Sequence, residues 1–232
     1  DEYRDTREEW WMVEIYFTQD VPETKQIIVW AKDRMNGETF DTLTIKYKGG
    51  DIDPGVIVYN PSKTYGSVSV GGDIYKTIEI GQQTWLARNL MLVPPAGTYQ
   101  ETYFTQYNCT FGFVYDWQAA MSLTSVPGFQ MPSKQDWQVL INNAGGTYGG
   151  GALKETGFNH WWIPNAGDTN STGFTAIPGG DGWPTTIISL GYYWTSTEQG
   201  PDSAWAVKLT FDQSKVEFIL LPKNRFASVR LI

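Results

Sequence analysis

The sequence predicts an α+β fold: an antiparallel meander, two helices and one long loop, preceded by a small all-β domain. Three observations lead there. Apolar side chains alternate with other residues through 190–231, two stretches between 113 and 144 carry helical spacing, and charge density halves near Gly71-Gly72.

The alternation is clearest in Leu190–Phe211, LGYYWTSTEQGPDSAWAVKLTF. Trp205, Val207, Leu209 and Phe211 share one face, and Ala206, Lys208 and Thr210 share the other. A period of two marks a half-buried antiparallel strand. Tyr192, Trp194 and Ser196 alternate likewise, and the pattern resumes through Val216, Phe218 and Leu220 and again through Phe226–Leu231. Four such runs with short Gly, Pro, Asp and Ser breaks read as a meander. Trp194 and Trp205 are expected in its core.

Residues 1–72 hold 8 basic and 13 acidic side chains, against 9 and 12 in the remaining 160. The drop supports two domains, 1–72 and 73–232. Strands are expected at Trp10–Phe17, Gln26–Ala31, Leu43–Lys48 and Val56–Tyr59, with a tight turn at Arg34-Met35-Asn36-Gly37. Trp10, Trp11 and Trp30 are read as this module's core.

Ile74–Arg88 reads as a hairpin turning at Gly81-Gln82, and Asn89–Gln106 as an extended loop broken by Pro94-Pro95 and Gly97. Phe113–Leu123 has helical spacing, and Ser133–Ala144 is a clearer helix. There Ser133 is the N-cap with Asp136 three residues on, Trp137, Leu140 and Ile141 form the stripe, and Gly145-Gly146 ends it. Gly149–Gly191 is a long loop rich in Gly, Asn, Pro and Trp, with a short helical stretch at Ala152–Glu155. Loops of that length in a compact domain are usually functional or disordered, and the tryptophans oppose disorder.

Composition narrows function. A net charge of -8 opposes a nucleic-acid or anionic-membrane partner. The single Cys109 excludes an internal disulfide and a thiolate cluster, and the single His160 excludes sites needing two imidazoles. No window approaches ~20 apolar residues, so no membrane span is expected. The chain opens DEYRDTREEW, without initiator Met or leader pattern, and is read as a mature or trimmed form.

In order along the chain stand TIEIGQQTWLARN (77–89), VYDWQAAM (114–121), QMPSKQDW (130–137), GGGALKETG (149–157), GFTAIPGG (173–180), YWTSTE (193–198), Ala204-Trp205 and SVR (228–230). Together, over about 74–232, they resemble the Fibrobacter succinogenes major paralogous domain. The resemblance implies a C-type-lectin-like fold related to formylglycine-generating enzymes, in which a long loop carries function. It also implies an extracellular or cell-surface protein, lipid-anchored upstream in a Gram-negative bacterium. Members commonly carry two cysteines where this chain has Ser125 and Leu231. Their joint absence fits a lost cross-link worth about 3 kcal/mol, so packing must hold the C-terminal strand. Cys109 matches neither place and is read as a small apolar residue.

The related enzymes work through paired cysteines or several histidines, and this chain has one of each. His160, in FNHWW, lies near no nucleophile motif and is read as a loop-packing side chain. Asp168, Asp181, Glu198 and Asp202 could supply a hydrolytic carboxylate pair only if two stood ~5–9 Å apart. Asp168, Asn170 and Asp181 offer oxygens to Ca²⁺, although the loop lacks the acidic residue before Pro164-Asn165 that calcium-dependent lectins use. The favoured reading of those segments is turns, with no cofactor and Ca²⁺ left open. Trp161, Trp162, Trp183, Tyr192 and Tyr193 bracket the loop as surfaces for a sugar face or as its own small core.

The reading is a non-catalytic surface or secreted binding module for a glycan or protein. Its expected ligand-binding residues are Trp161, Trp162, Asp168, Asn170, Asp181, Trp183, Tyr192 and Glu198. The alternative is an assembly subunit using the aromatic loop as an interface; an enzyme comes third.

Overall fold

The computed structural model describes residues 24–32, 38–46, 57–104, 109–123, 126–183 and 186–232. The chain divides into two compact units, 1–52 and 53–232. In the first, β1 (Thr24–Lys32) and β2 (Glu38–Lys46) form an antiparallel hairpin in register from Thr24↔Lys46 to Lys32↔Glu38. These strands contain Gln26–Ala31 and most of the expected Leu43–Lys48. The strand expected at Trp10–Phe17 and the Arg34–Gly37 turn lie outside the described residues.

The second unit begins with a three-stranded sheet, β3 (Gly66–Val70), β4 (Asp73–Ile80) and β5 (Gln83–Leu86). The expected Ile74–Arg88 hairpin is its β4–β5 part. Gly71 and Gly72, where charge density changes, form the β3–β4 turn with φ of +60° and +94°, a conformation glycine adopts without strain. No strand forms over 57–59; that segment instead packs on the long loop.

The larger sheet orders its strands β10-β9-β8-β11-β7-β6. They are β6 (Tyr99–Phe104), β7 (Cys109–Tyr115), β8 (Leu190–Glu198), β9 (Ser203–Thr210), β10 (Glu217–Pro222) and β11 (Ala227–Ser228). β8, β9 and β10 make the expected meander. The fourth run does not extend it. β11 lies on the other side of β8, parallel to it through Ser228↔Tyr193 and antiparallel to β7. Alternation specifies faces, not neighbours. β6 also corrects the Asn89–Gln106 loop: residues beyond Pro94-Pro95 pair with β7, with a bulge between Glu101 and Tyr103.

Both faces of this sheet are covered, so its central strands are not half-buried as the alternation suggested. Trp194, Ala204 and Ala206 join one buried cluster with Tyr115, Val229 and Leu231; Tyr193, Val207 and Leu209 join another. α1 (Trp117–Ser122) closes the first face through Ala119 and Ala120. α2 (Lys134–Asn143) and α3 (Gly150–Leu153) close the second through Trp137, Leu140, Ile141 and Leu153. The helix expected over Phe113–Leu123 begins only after Asp116, whose Oδ1 accepts the Ala119 N–H at 2.7 Å. Phe113–Tyr115 belong to β7, because Phe111, Phe113, Val114 and Tyr115 are aromatic or β-branched and Asp116 is the start signal.

The second helix is as expected. Ser133 Oγ accepts the Asp136 N–H, and Asp136 Oδ2 accepts the Ser133 N–H at 2.8 Å, a reciprocal capping box. Trp205 departs from expectation: it is half-buried, with the Lys134 ammonium 3.2 Å from its ring centroid. No helix among the described residues is long and apolar enough to cross a membrane.

Candidate functional site

α3 delivers the chain into a loop, described over 154–183 and 186–189, that has almost no regular structure and yet is pinned at many points. Arg230, wholly buried beyond β11, is the main pin. Its Nε donates to Asn89 Oδ1 at 2.8 Å, its Nη1 to the Phe174 and Leu86 carbonyls at 2.9 and 3.1 Å, and its Nη2 to Thr175 O at 2.7 Å. Burial pulls the guanidinium down to about 10, with nearby Tyr193 opposing; it stays charged at neutral pH. Asn165 and Asn170 take left-handed backbone with φ of 44° and 46°, a conformation Asn tolerates. Asn165 Nδ2 donates to the Glu155 and Gly157 carbonyls, and Asn170 clasps Thr175 through both side-chain ends.

This scaffold sorts adjacent tryptophans. Trp161 is 1% exposed, and its indole N–H donates to Ala176 O at 2.8 Å. Trp162 is 54% exposed, and its ring stacks on Phe211 at 5.4 Å and 29°. Two backbone contacts hold that turn: Trp162 N–H to Ile188 O and Ala166 N–H to Phe211 O. Phe158 and Ile163 are exposed beside Trp162. Residues 158–163 and Ile188 enclose a recess of about 170 Å³.

The recess is backed by a buried acid–imidazole pair. Glu155 and His160 are both sealed from water, with His160 Nδ1 at 2.6 Å from Glu155 Oε2. Glu155 Oε1 accepts the Val58 N–H at 2.6 Å. A carboxylate only accepts, so Nδ1 carries the hydrogen. Phe111 meets the imidazole edge-on at 5.1 Å. His160 Nε2 is buried and without a partner.

Of the residues the sequence singled out, Trp161 and Trp162 line this recess. Asp168 Oδ2 accepts the Gly157 N–H at 2.6 Å, bracing the same turn. Asn170 is buried in its clasp with Thr175. Trp183, 63% exposed, and Gly182 line a second, smaller recess of about 70 Å³ with Gln100–Thr102, Gly179 and Ile187. Neighbouring Asp181 accepts from Thr186 Oγ1 at 2.7 Å and pairs with Arg225 at 3.0 Å. Tyr192 packs against the first cluster, whereas Tyr193 faces the second with Trp161, so Tyr192 lies across the sheet from the loop. Glu198 sits exposed at the end of β8 and pairs with Lys223 at 2.6 Å. The recess thus gathers two of the eight, with Asp168 and Asn170 supporting its loop.

Sequence reasoning passed over Glu155, Phe158 and Ile163 and read His160 as packing alone. The available signal was the chain's single histidine beside two tryptophans in the loop. Among the described residues no group of three or more His, Cys, Asp or Glu side chains is placed to hold a metal ion. The oxygens of Asp168, Asn170 and Asp181 serve the internal bonds above.

Lys154 is also buried, donating to the Thr210 and Gln213 carbonyls at 3.1 and 3.3 Å beneath the Trp161 ring. Burial draws its ammonium down to about 8, with Asp168 and Asp212 opposing. It stabilises the loop's attachment to the sheet and does not reach the recess wall.

No curated protein and no solved structure matches the chain. The model of the Fibrobacter succinogenes major domain matches residues 78–232, which include the larger sheet, all three helices and the pinned loop. With more than half its length matched, this chain belongs to the Fibrobacter succinogenes major domain family.

Proposed function

We propose that this chain is a non-catalytic binding module, displayed at a cell surface or secreted, with a C-type-lectin-like arrangement of sheet, helices and functional loop. The observation that carries the reading is Trp162: an indole more than half exposed, backed by Phe211, at the lip of a recess about 170 Å³ in volume. Solvent-facing aromatics cost free energy unless something covers them. Here the ring's inner face is fixed by stacking, so little side-chain freedom is lost when a partner covers the outer face. A recess of this size favours a discrete ligand group over a flat subunit contact. The ligand is a glycan or an exposed protein segment, and its capture needs no bound cation.

Two measurements test this. Trp162→Ala should abolish ligand capture while leaving the melting temperature nearly unchanged, because the ring contributes little to the core. The melting temperature should be the same in Ca²⁺ and in EDTA; a rise with Ca²⁺ would reveal a cation bound to the folded chain and sink the cation-free part of the reading.

A further inference from the structure

The unpartnered Nε2 of His160 calls for an explanation. A buried polar atom without a partner costs about 1–3 kcal/mol, and such atoms are rare in folded chains. The described residues hold four: Arg88 Nε, Trp137 Nε1, Asn165 Oδ1 and His160 Nε2. Arg88 lies over the Tyr75 ring at 4.0 Å, and Trp137 sits among the rings of Trp85, Phe174 and Tyr193 at 5.0–5.6 Å. Those two sit among aromatic rings. His160 instead belongs to the wall of the recess beneath Trp162. Glu155 orients the ring and occupies Nδ1, so Nε2 is the polar atom the imidazole has left, and in the neutral ring it is an acceptor.

We propose, resting on the binding role assigned to the Trp162 face, that His160 Nε2 is the specificity-determining acceptor for one hydroxyl of a neutral pyranose ring seated in this recess. Three features define that chemistry. A cavity of ~150 Å³ takes one benzene-sized ring, so about 170 Å³ holds a single six-membered ring. The Trp162 indole is held flat by Phe211 and offers its outer face to the C–H side of such a ring. An acceptor with no cation beside it in the recess wall selects an O–H donor and gives an anion nothing to pair with; the chain's charge of -8 disfavours an anion further. Nε2 has under 1 Å² of accessible surface, so the recess wall must give as the ring seats.

The chain's single histidine makes the test direct. In the ¹⁵N-labelled full chain, a long-range ¹H–¹⁵N spectrum contains one imidazole, and its two nitrogens report the tautomer. The probes are methyl glycosides of glucose, galactose and mannose, N-acetylglucosamine, and tyrosine amide. The expected result is a free protein with Nδ1 protonated and Nε2 bare, and at least one saccharide that moves Nε2 saturably along with the Trp162 indole signal. His160→Asn, whose Nδ2 takes the place of Nδ1 and keeps an amide donor for Glu155 while nothing stands where Nε2 was, should weaken that saccharide about 10-fold, the loss of one hydrogen bond. A protonated Nε2 in the free protein overturns the proposal. So does a saccharide that moves Trp162 and leaves Nε2 still, although the aromatic binding face would then stand. A response to tyrosine amide alone overturns it in favour of a protein ligand. Silence of both Trp162 and Nε2 towards every probe sinks the proposal together with the binding face.

Discussion

Two of the buried polar nodes that hold the loop differ in one respect. At Arg230 all three guanidinium nitrogens donate, to three carbonyls and to Asn89. At His160 one nitrogen is bonded to Glu155 and the other has no partner. A node whose atoms are all satisfied specifies structure and cannot respond to a ligand. A node with one acceptor left over sacrifices stability and keeps a contact in reserve. The contrast separates architecture from candidate function in a loop where composition alone could not.

The largest effect expected from breaking the contrast is at the satisfied node. Arg230→Met removes one cation and leaves the Leu86, Phe174 and Thr175 carbonyls and Asn89 Oδ1 without their donor. Urea unfolding should register a loss of roughly 3–5 kcal/mol. A loss under about 1 kcal/mol would mean that water or rearranged neighbours replace the guanidinium and that it is no pin. His160→Asn should cost less, because Glu155 keeps a donor and the unpartnered nitrogen goes.

Next in size is a pH effect at Lys154. Its folded-state value is about 8 against an ordinary 10.5, so between those values the unfolded chain binds more protons than the folded one. Stability should therefore gain a contribution as pH rises from about 8 towards 10.5, and lack it below 8. Denaturant midpoints at pH 7.5 and 9.5 should show that gain in the native chain and a smaller one in Lys154→Met. Equal gains in both chains would show that Lys154 is not desolvated. The tyrosines with raised values, Tyr59, Tyr75, Tyr115 and Tyr193, act oppositely, since burial keeps them protonated when folded; their effect begins only near pH 10.

Smaller still is the α2 cap. Ser133→Ala removes the side-chain half of the capping box and should cost about 1 kcal/mol, read from the same midpoints. The recess should be untouched, because α2 contributes no residue to it.

These effects follow how legible each part was in the sequence. The α2 cap was readable because Ser133, Asp136 and the Trp137–Ile141 stripe are local. β8 to β10 were readable because alternation survives burial of both faces: Tyr193 and Trp194 still point to opposite clusters. The place of β11 was not readable. It rests on contacts as distant as the Arg230–Asn89 bond, and the two-residue strand carries no register of its own. The long loop was legible as a loop, but the orientation of its rings was not. Trp161 and Trp162 are neighbours of the same type without a period to sort them. Their fates are decided by the Ala176 carbonyl for one and the Phe211 ring for the other. His160 was visible as a lone imidazole, and only the recess beside it and its pairing with Glu155 give it a role.

The central claim is that the Trp162 face is a platform for a partner from outside the chain. A glycan array probed with the native chain and with Trp162→Ala measures it most directly, alongside melting curves for both. Binding to at least one glycan by the native chain, absent from Trp162→Ala at an unchanged melting temperature, is the predicted result. The same glycans retained by Trp162→Ala would contradict it.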